Sequence, residues 1–372
     1  MPPSMETAVD LFVALARLPT PPGQERAAID LVSSVLAGFG VASAEDDAGS
    51  RIDGDAGNLY ARIPGTVPGT PLFFNAHVDT VPPSAAIEPV VRDGYIVNAQ
   101  PTILGADNKA SVAGMVDGIR TVLREGLPHA GIELLITVQE ETGLRGAKAF
   151  DVGRLEATIG YVYDVDGPPG RMVMRAPSQI SMDITFLGKA AHAGIAPEEG
   201  RNAIQAAARA LAGLEFGRIA AGATRNVGVV AGGRQRNIVP DRCTVQIELR
   251  SLVDADMAGL AQEVIDACNL AAVATGCSVE IAQAREYTAY ALSDRDPVVV
   301  LARQALRAAG CEPVEIETGG GADTHVFNER GLSCLNLSSG MEAIHSQDER
   351  IAVADVEALS RITVELIRAA SA

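Results

Sequence analysis

Apolar positions along this chain alternate between a helical rhythm and a strand rhythm. Residues 24–39 place Ala28, Leu31, Val32, Val35 and Leu36 on one face of a helix, after a breaker built from Pro19, Pro21, Pro22 and Gly23. Residues 58–63 and 71–76 read as strands and 108–124 as a helix, while 132–138 and 157–163 are strands with nearly continuous apolar runs. Such strands, separated by helices, belong to a largely parallel sheet covered on both faces. The rhythm changes after Gly167. Residues 180–187 alternate, with Met182, Ile184 and Phe186 on one side; a helix at 201–214, strands at 226–231 and 243–249, a helix at 255–274 and a strand at 278–284 follow. That order, β-α-β-β-α-β, is the ferredoxin-like split βαβ unit. Helices at 297–309 and 353–369 then resume the first pattern. The expected fold is α/β: an α/β/α domain with a mainly parallel central sheet over residues 1–176 and 288–372, interrupted by an α+β ferredoxin-like module over 177–287.

Bulk properties narrow the function classes. The 372 residues suit two domains, and 47% hydrophobic with 21% charged residues describes a globular chain. A net charge of −17 makes nucleic acid a poor partner. No apolar run reaches the roughly 18–20 residues of a membrane span, and the first residues lack a secretory pattern, so no membrane association is expected. Five cysteines without CxxC spacing fit reduced thiols and a cytoplasmic location, with Cys243, Cys268 and Cys277 read as core residues.

The chemistry concentrates at strand ends. His77 closes an apolar run and Asp79 follows two residues later, on the same side of an extended chain. That is either a polar pair at a strand end or a metal-binding imidazole with the carboxylate that orients it. Asp107 stands where a helix begins, as a cap or as a rigidly held ligand. The strand at 132–138 emits Glu140 and Glu141, two adjacent carboxylates at the carboxyl edge of a sheet, which repel unless solvated or bridged by a cation. The strand at 157–163 likewise ends in Asp164 and Asp166, and His345 follows a glycine-marked turn. Two histidines with several carboxylates form an oxygen–nitrogen ligand set suited to Zn²⁺, Co²⁺ or Mn²⁺.

Four blocks, His77-Val78-Asp79-Thr80-Val81-Pro82, Gly105-Ala106-Asp107-Asn108-Lys109, Glu140-Glu141-Thr142-Gly143 and Gly319-Gly320-Gly321-Ala322-Asp323 with His345, resemble the signatures of the co-catalytic zinc peptidases, nearest the peptidase T-like branch. The resemblance spans residues 58–350 and implies two divalent metal ions, with zinc expected. His77 and Asp166 would hold one ion, Glu141 and His345 the other, and Asp107 would bridge them. Of Asp164 and Asp166, the resemblance favours Asp166, because it directly precedes Gly167 as the family ligand precedes a glycine. Asp79 would orient His77 and Glu140 would be the general base. In the inserted module, His192 would stabilise the oxyanion across a homodimer, and Asn237 and Arg250 would bind substrate; Gly320 would let backbone approach it closely.

The implied activity is hydrolysis of amide bonds in small peptides, as an aminopeptidase acting on tripeptides or dipeptides. An N-acyl-amino-acid deacylase or a carboxypeptidase would use the same core, and a non-catalytic peptide-binding relative is the alternative from another class. Departures from the family pattern remain. Gly321 replaces a common Ser or Thr, Ser333 a common Pro, and Asn108 a frequent Asp. His192 read alone is a surface loop residue, and Arg250 a strand-end salt bridge. His129 reads as a surface residue, and His325 as a helix start or a support of the site.

Overall fold

The computed structural model describes residues 5–371. The described residues divide into two compact units, one of residues 5–174, 292–317 and 322–371, the other of 175–291 and 318–321.

The first unit is built on one sheet. Its strands run in the order Ser43–Glu45, Leu59–Pro64, Gly131–Thr137, Leu72–His77, Ile159–Val165, Ser333–Ser338, followed by the start of Arg171–Ala176. Gly131–Thr137, Leu72–His77, Ile159–Val165 and Ser333–Ser338 pair in parallel, and antiparallel strands flank them. Period-two alternation sends adjacent residues to opposite faces. Phe74 thus meets Tyr161 and Tyr163, whose hydroxyls bond the carbonyl of Val298 and the hydroxyl of Thr363 on helices Pro297–Ala308 and Val353–Ala369. Phe73 meets Phe327 of helix Thr324–Glu329 on the other face, and Gly160 beside it leaves no room for a side chain. The α/β/α layering follows from these two contacts. Helix Ala106–Arg124 packs on Val353–Ala369, Ala8–Ala16 and the central strands, burying fourteen of its residues. A small antiparallel sheet, Met341–Glu342, Arg350–Ala352, Tyr95–Asn98 and Pro89–Arg92, has no counterpart in the sequence pattern because its strands are too short to show a period. It fixes both ends of the loop that carries His345.

The second unit is an antiparallel sheet in the order Gly217–Ala220, Ala223–Gly232, Arg242–Ser251, Ser178–Leu187, Ser278–Tyr287. Its inner residues, among them Met182, Ile184, Phe186, Val245 and Leu249, pack with Ala206, Ala210, Val264 and Cys268 of helices Ala203–Ala212 and Met257–Thr275. This is the ferredoxin-like order with one added edge strand, Gly217–Ala220, which the sequence pattern does not reveal. Asn202 caps the first helix, accepting from the amide of Gln205 at 3.0 Å, so the helix starts after residue 202. Cys243 and Cys268 are buried here, and Cys277 lies at the margin. No described helix is long and apolar enough to cross a membrane.

Candidate metal centre

Parallel strands end on one edge of the sheet, where an open α/β fold places its sites. Leu72–His77 delivers His77 there, Gly131–Thr137 runs on to Glu140 and Glu141, and Ile159–Val165 carries Asp164. Asp107 comes from the start of helix Ala106–Arg124 and His345 from the loop between Glu342 and Arg350.

These side chains converge into two groups that share one carboxylate. His77 Nε2 is 3.3 Å from Asp107 Oδ1 and 3.6 Å from Asp164 Oδ1. His345 Nε2 is 3.1 Å from Asp107 Oδ2 and 2.9 Å from Glu141 Oε1. Two atoms that each ligate a tetrahedral ion at about 2.0–2.2 Å stand roughly 3.3–3.6 Å apart. The His77 spacings have this length, whereas His345 meets Asp107 and Glu141 at the shorter distance of a direct ion pair and would open slightly to admit a second ion. Asp107 turns one oxygen to each histidine, and its buried Oδ1 lacks a hydrogen-bond donor. A buried carboxylate oxygen without a donor is expensive unless a cation faces it. The residues present fit a pair of divalent ions.

Electrostatics point the same way. Burial alone would depress the pKa of His77, but Asp164, Asp107 and Asp79 outweigh it and hold it well above 6.5. Asp107 and then Glu141 push His345 up to about 10. Burial raises Asp164 to about 6, against the pull of His77. Burial also drives Glu140 well above the ordinary carboxylate range, with Asp164, Asp323 and Glu141 adding to it. Both imidazoles thus lie in a field that favours positive charge.

Asp79 is fully buried and has two tasks. Its carbonyl oxygen lies 2.9 Å from His77 Nδ1 and its Oδ1 3.4 Å away, which turns Nε2 toward the cluster. Its carboxylate also accepts from the amides of Glu140 at 3.0 Å and Glu141 at 3.1 Å. Glu140 Oε2 stands 3.9 Å from His77 Nε2. Glu140 with His77 and Asp164, and Asp107 with His77 and Glu141, are the two sets among the described residues whose donor atoms all lie within 4.8 Å of one another.

The structure gathers His77, Asp107, Glu140, Glu141 and His345, and does not bring Asp166 to them. Asp164 stands in its place. The strand ends at Val165, and Asn336 pins the backbone of Asp164 on both sides, at 2.9 and 3.1 Å. Gly167, at φ +90°, then turns the chain to bond the carbonyl of Met341, leaving Asp166 exposed. Nor does Asp107 cap its helix. Gly105 occupies the cap in a left-handed conformation, and the amides of Leu104, Gly105 and Asp107 are taken by Glu349. Sequence reasoning missed Glu349, four residues past His345, as well as Asp323, which burial raises to about 7 and which accepts from Thr137 Oγ1 at 2.5 Å. Lys109 is fully buried, donates to the carbonyl of Leu18 and is lowered to about 7 by burial. The Asp323 of the fourth sequence block was the available signal for one of these.

The remaining candidates belong to the second unit. His192 and Asn237 are exposed on adjoining loops joined by the Ala193 amide on the Asn237 carbonyl, and by a bridge between His192 and Ile238. Arg250 spends Nε and Nη2 on Glu248 and Nη1 on the carbonyl of Gly319. Gly320 donates to Thr318 Oγ1. A side chain at Gly321 would meet the ring of Tyr287 at 2.5 Å, which explains why Ser or Thr is absent there. His129, expected at the surface, is buried beneath the turn whose Thr66 and Val67 amides bond its carbonyl. His325 is buried at a helix start, with Nδ1 3.0 Å from the carbonyl oxygen of Ala322.

Comparison with known proteins adds relatives over the full length. Residues 177–275 match the peptidase dimerisation domain family, and 58–191 match peptidase family M28. An uncharacterized protein of Bacillus subtilis, YqjE, is 35% identical over 361 residues, covering 97% of each chain. The crystal structure of aminopeptidase PepT from Bacillus cereus superposes with a TM-score of 0.90 at 36% identity, over 99% of both chains. That of a tripeptidase from Staphylococcus aureus gives 0.94 at 30%, again over 99% of both.

Proposed function

This chain belongs to the peptidase T-like metallopeptidases of the M20 family, and from that premise we propose that it removes the N-terminal residue from tripeptides or dipeptides. The observation that carries the reading is the shared Asp107, with one oxygen toward His77 and Asp164 and the other toward His345 and Glu141. His77, Asp164 and Asp107 would hold one divalent ion, and Asp107, Glu141 and His345 a second; zinc suits this donor set, and cobalt and manganese are accommodated by it. Bound there, the ions supply Lewis acidity, lowering the pKa of water and polarising the scissile carbonyl.

Glu140 is the general base in this scheme. It would take a proton from water and pass it to the leaving amine, from its place 3.9 Å from His77 Nε2. Asp79 holds the backbone of Glu140 and Glu141 and the ring of His77, so base and ligands keep one register. His192 is assigned to the oxyanion, Asn237 and Arg250 to substrate polar groups and Gly320 to substrate backbone, with the second unit forming a homodimer. For Arg250 to grip a peptide carboxylate bidentately, Glu248 must release its fork. The five described cysteines are free, which supports a reducing, cytoplasmic setting.

The test is hydrolysis of matched dipeptides, tripeptides and N-acetyl amino acids by metal-loaded protein, with Glu140→Ala as the control. Release of free N-terminal residues is expected, falling by at least about a hundredfold in the variant while metal content stays at the wild-type level. Cleavage of acylated substrates alone would replace the aminopeptidase reading with a deacylase. Metal content falling in step with activity would remove Glu140 from the role of base.

A further inference from the structure

Glu349 is 3% exposed and carries a carboxylate that touches neither histidine. Its Oε2 accepts from the amides of Leu104 at 2.7 Å and Gly105 at 2.9 Å, and its Oε1 from the amide of Asp107 at 3.0 Å. Three backbone donors on one buried carboxylate form a strong, charge-assisted clamp. A carboxylate in such a place is costly to desolvate, and a fold needing only a helix cap obtains one from Ser, Thr, Asp or Asn. The clamp joins two segments about 240 residues apart in sequence, and each bears part of the shared cluster. One is the turn that presents Asp107. The other is the loop of His345, which lies four residues before Glu349 and holds left-handed φ values of 52° at Ala343 and 60° at His345.

We propose that Glu349 is a positioning residue for the metal pair: it sets the turn before Asp107 so that the two oxygens of that carboxylate face His77 and His345 at once. The clamp acts on backbone, so it exists before any ion binds. It rests on the metal-ligand part of the functional reading above and adds a group that the ligand set does not contain. Lys109 adds a second restraint two residues on, its buried ammonium donating to the carbonyl of Leu18 at 2.6 Å. Glu349 governs where the bridge is held, and Lys109 anchors the first helical turn behind it.

The experiment compares the full wild-type chain with Glu349→Gln and Glu349→Asp, each stripped of metal and titrated with Co²⁺ by calorimetry and visible absorption. Amide exchange over residues 104–107 is followed in the metal-free proteins. In Glu349→Gln an amide group replaces one acceptor oxygen and faces N–H donors, so exchange accelerates at least about tenfold and the weaker Co²⁺ site loses at least about tenfold in affinity. KM at saturating Co²⁺ stays within about twofold of wild type, and excess Co²⁺ restores kcat. Glu349→Asp keeps the charge and recovers part of the affinity. Wild-type Co²⁺ affinity at both sites in Glu349→Gln would overturn the proposal, as would activity in both variants that excess Co²⁺ fails to restore. A wild-type chain that takes up no Co²⁺ would overturn the functional reading together with it.

Discussion

Asp164 and Asp166 have the same side-chain parity, the same charge and nearly the same neighbours in sequence, yet only Asp164 reaches His77. The difference lies in a partner 172 residues away. Asn336 accepts from the amide of Asp164 and donates to its carbonyl, holding that residue in line with the sheet. Beyond Val165 the chain is held instead at Gly167, whose amide donates to the Met341 carbonyl and whose carbonyl accepts from the Gly340 amide, a turn that leaves Asp166 exposed. Asp164→Asn should therefore weaken the uptake of one ion by at least about tenfold and lower activity at limiting metal, whereas Asp166→Asn should leave both within about twofold. Metal titration of the two variants decides it, and the reverse ranking would return the ligand role to Asp166. The same logic explains what could be read beforehand. His77, Glu140 and Glu141 were legible because each follows an apolar run that fixes its strand end. Asp164 was legible as one of two carboxylates at its strand end, but the choice between it and Asp166 depends on Asn336. Glu349 was not legible, because its role depends on backbone amides more than 240 residues distant.

At the scale of elements, the turn after strand Gly131–Thr137 shows how the fold spends charge to hold geometry. Gln139 stands at φ +52° and Leu144 at φ +60°, conformations that cost a residue with a side chain. The turn is kept by Glu25, whose Oε1 accepts from the amides of Gly23 and Gln139, and by Gln139 itself, bonded to Ile52 and Arg145. Glu25 is fully buried, and its Oε2 finds no donor. Burial first, and Asp79 after it, raise its pKa from 4.5 to about 7 against the pull of the amides. A folded pKa above the unfolded one means that the contribution to stability is complete below pH 4.5 and is lost as pH rises through 7. Glu25→Gln keeps the accepting oxygen and removes the charge, so it should stabilise the protein at pH 8 by on the order of 2 kcal/mol and by little at pH 4. Glu25→Ala should lower both stability and turnover, since two amides lose their acceptor. Thermal unfolding across this pH range checks it, and parallel pH profiles for wild type and Glu25→Gln would refute the assignment. Most helices and strands were legible from periodicity; strands Arg171–Ala176 and Ser333–Ser338 of the main sheet were not anticipated, and the short sheet at 89–98 and 341–352 and the strand Gly217–Ala220 were too brief to carry a period.

At the scale of the whole molecule, the second unit presents an unfinished edge. Strand Ala223–Gly232 pairs with Arg242–Ser251 along its length, but its other side is covered only over Ala223–Arg225. Among the described residues, nothing pairs with that side from Asn226 onward, and Val229 and Val230 are 46% and 53% exposed there. A long exposed apolar edge invites pairing with another chain, and natural proteins usually block such edges with charge or proline. Here the edge lies in the segment that matches a peptidase dimerisation domain, which makes a second copy its natural occupant. Each chain carries −17, so two copies would repel at long range, and association through this edge would have to overcome that repulsion. Raising ionic strength from about 10 mM to 150 mM shortens the screening length from roughly 30 to 8 Å and should tighten the dimer. Val230→Lys places a charge on the edge without entering the core, and should convert the dimer to monomer at micromolar concentration while leaving the far-UV circular dichroism unchanged. Sedimentation velocity across salt concentrations tests both halves. A wild-type monomer at every salt concentration would leave His192 without a partner copy to serve, and the oxyanion role would have to pass to a group within the same chain.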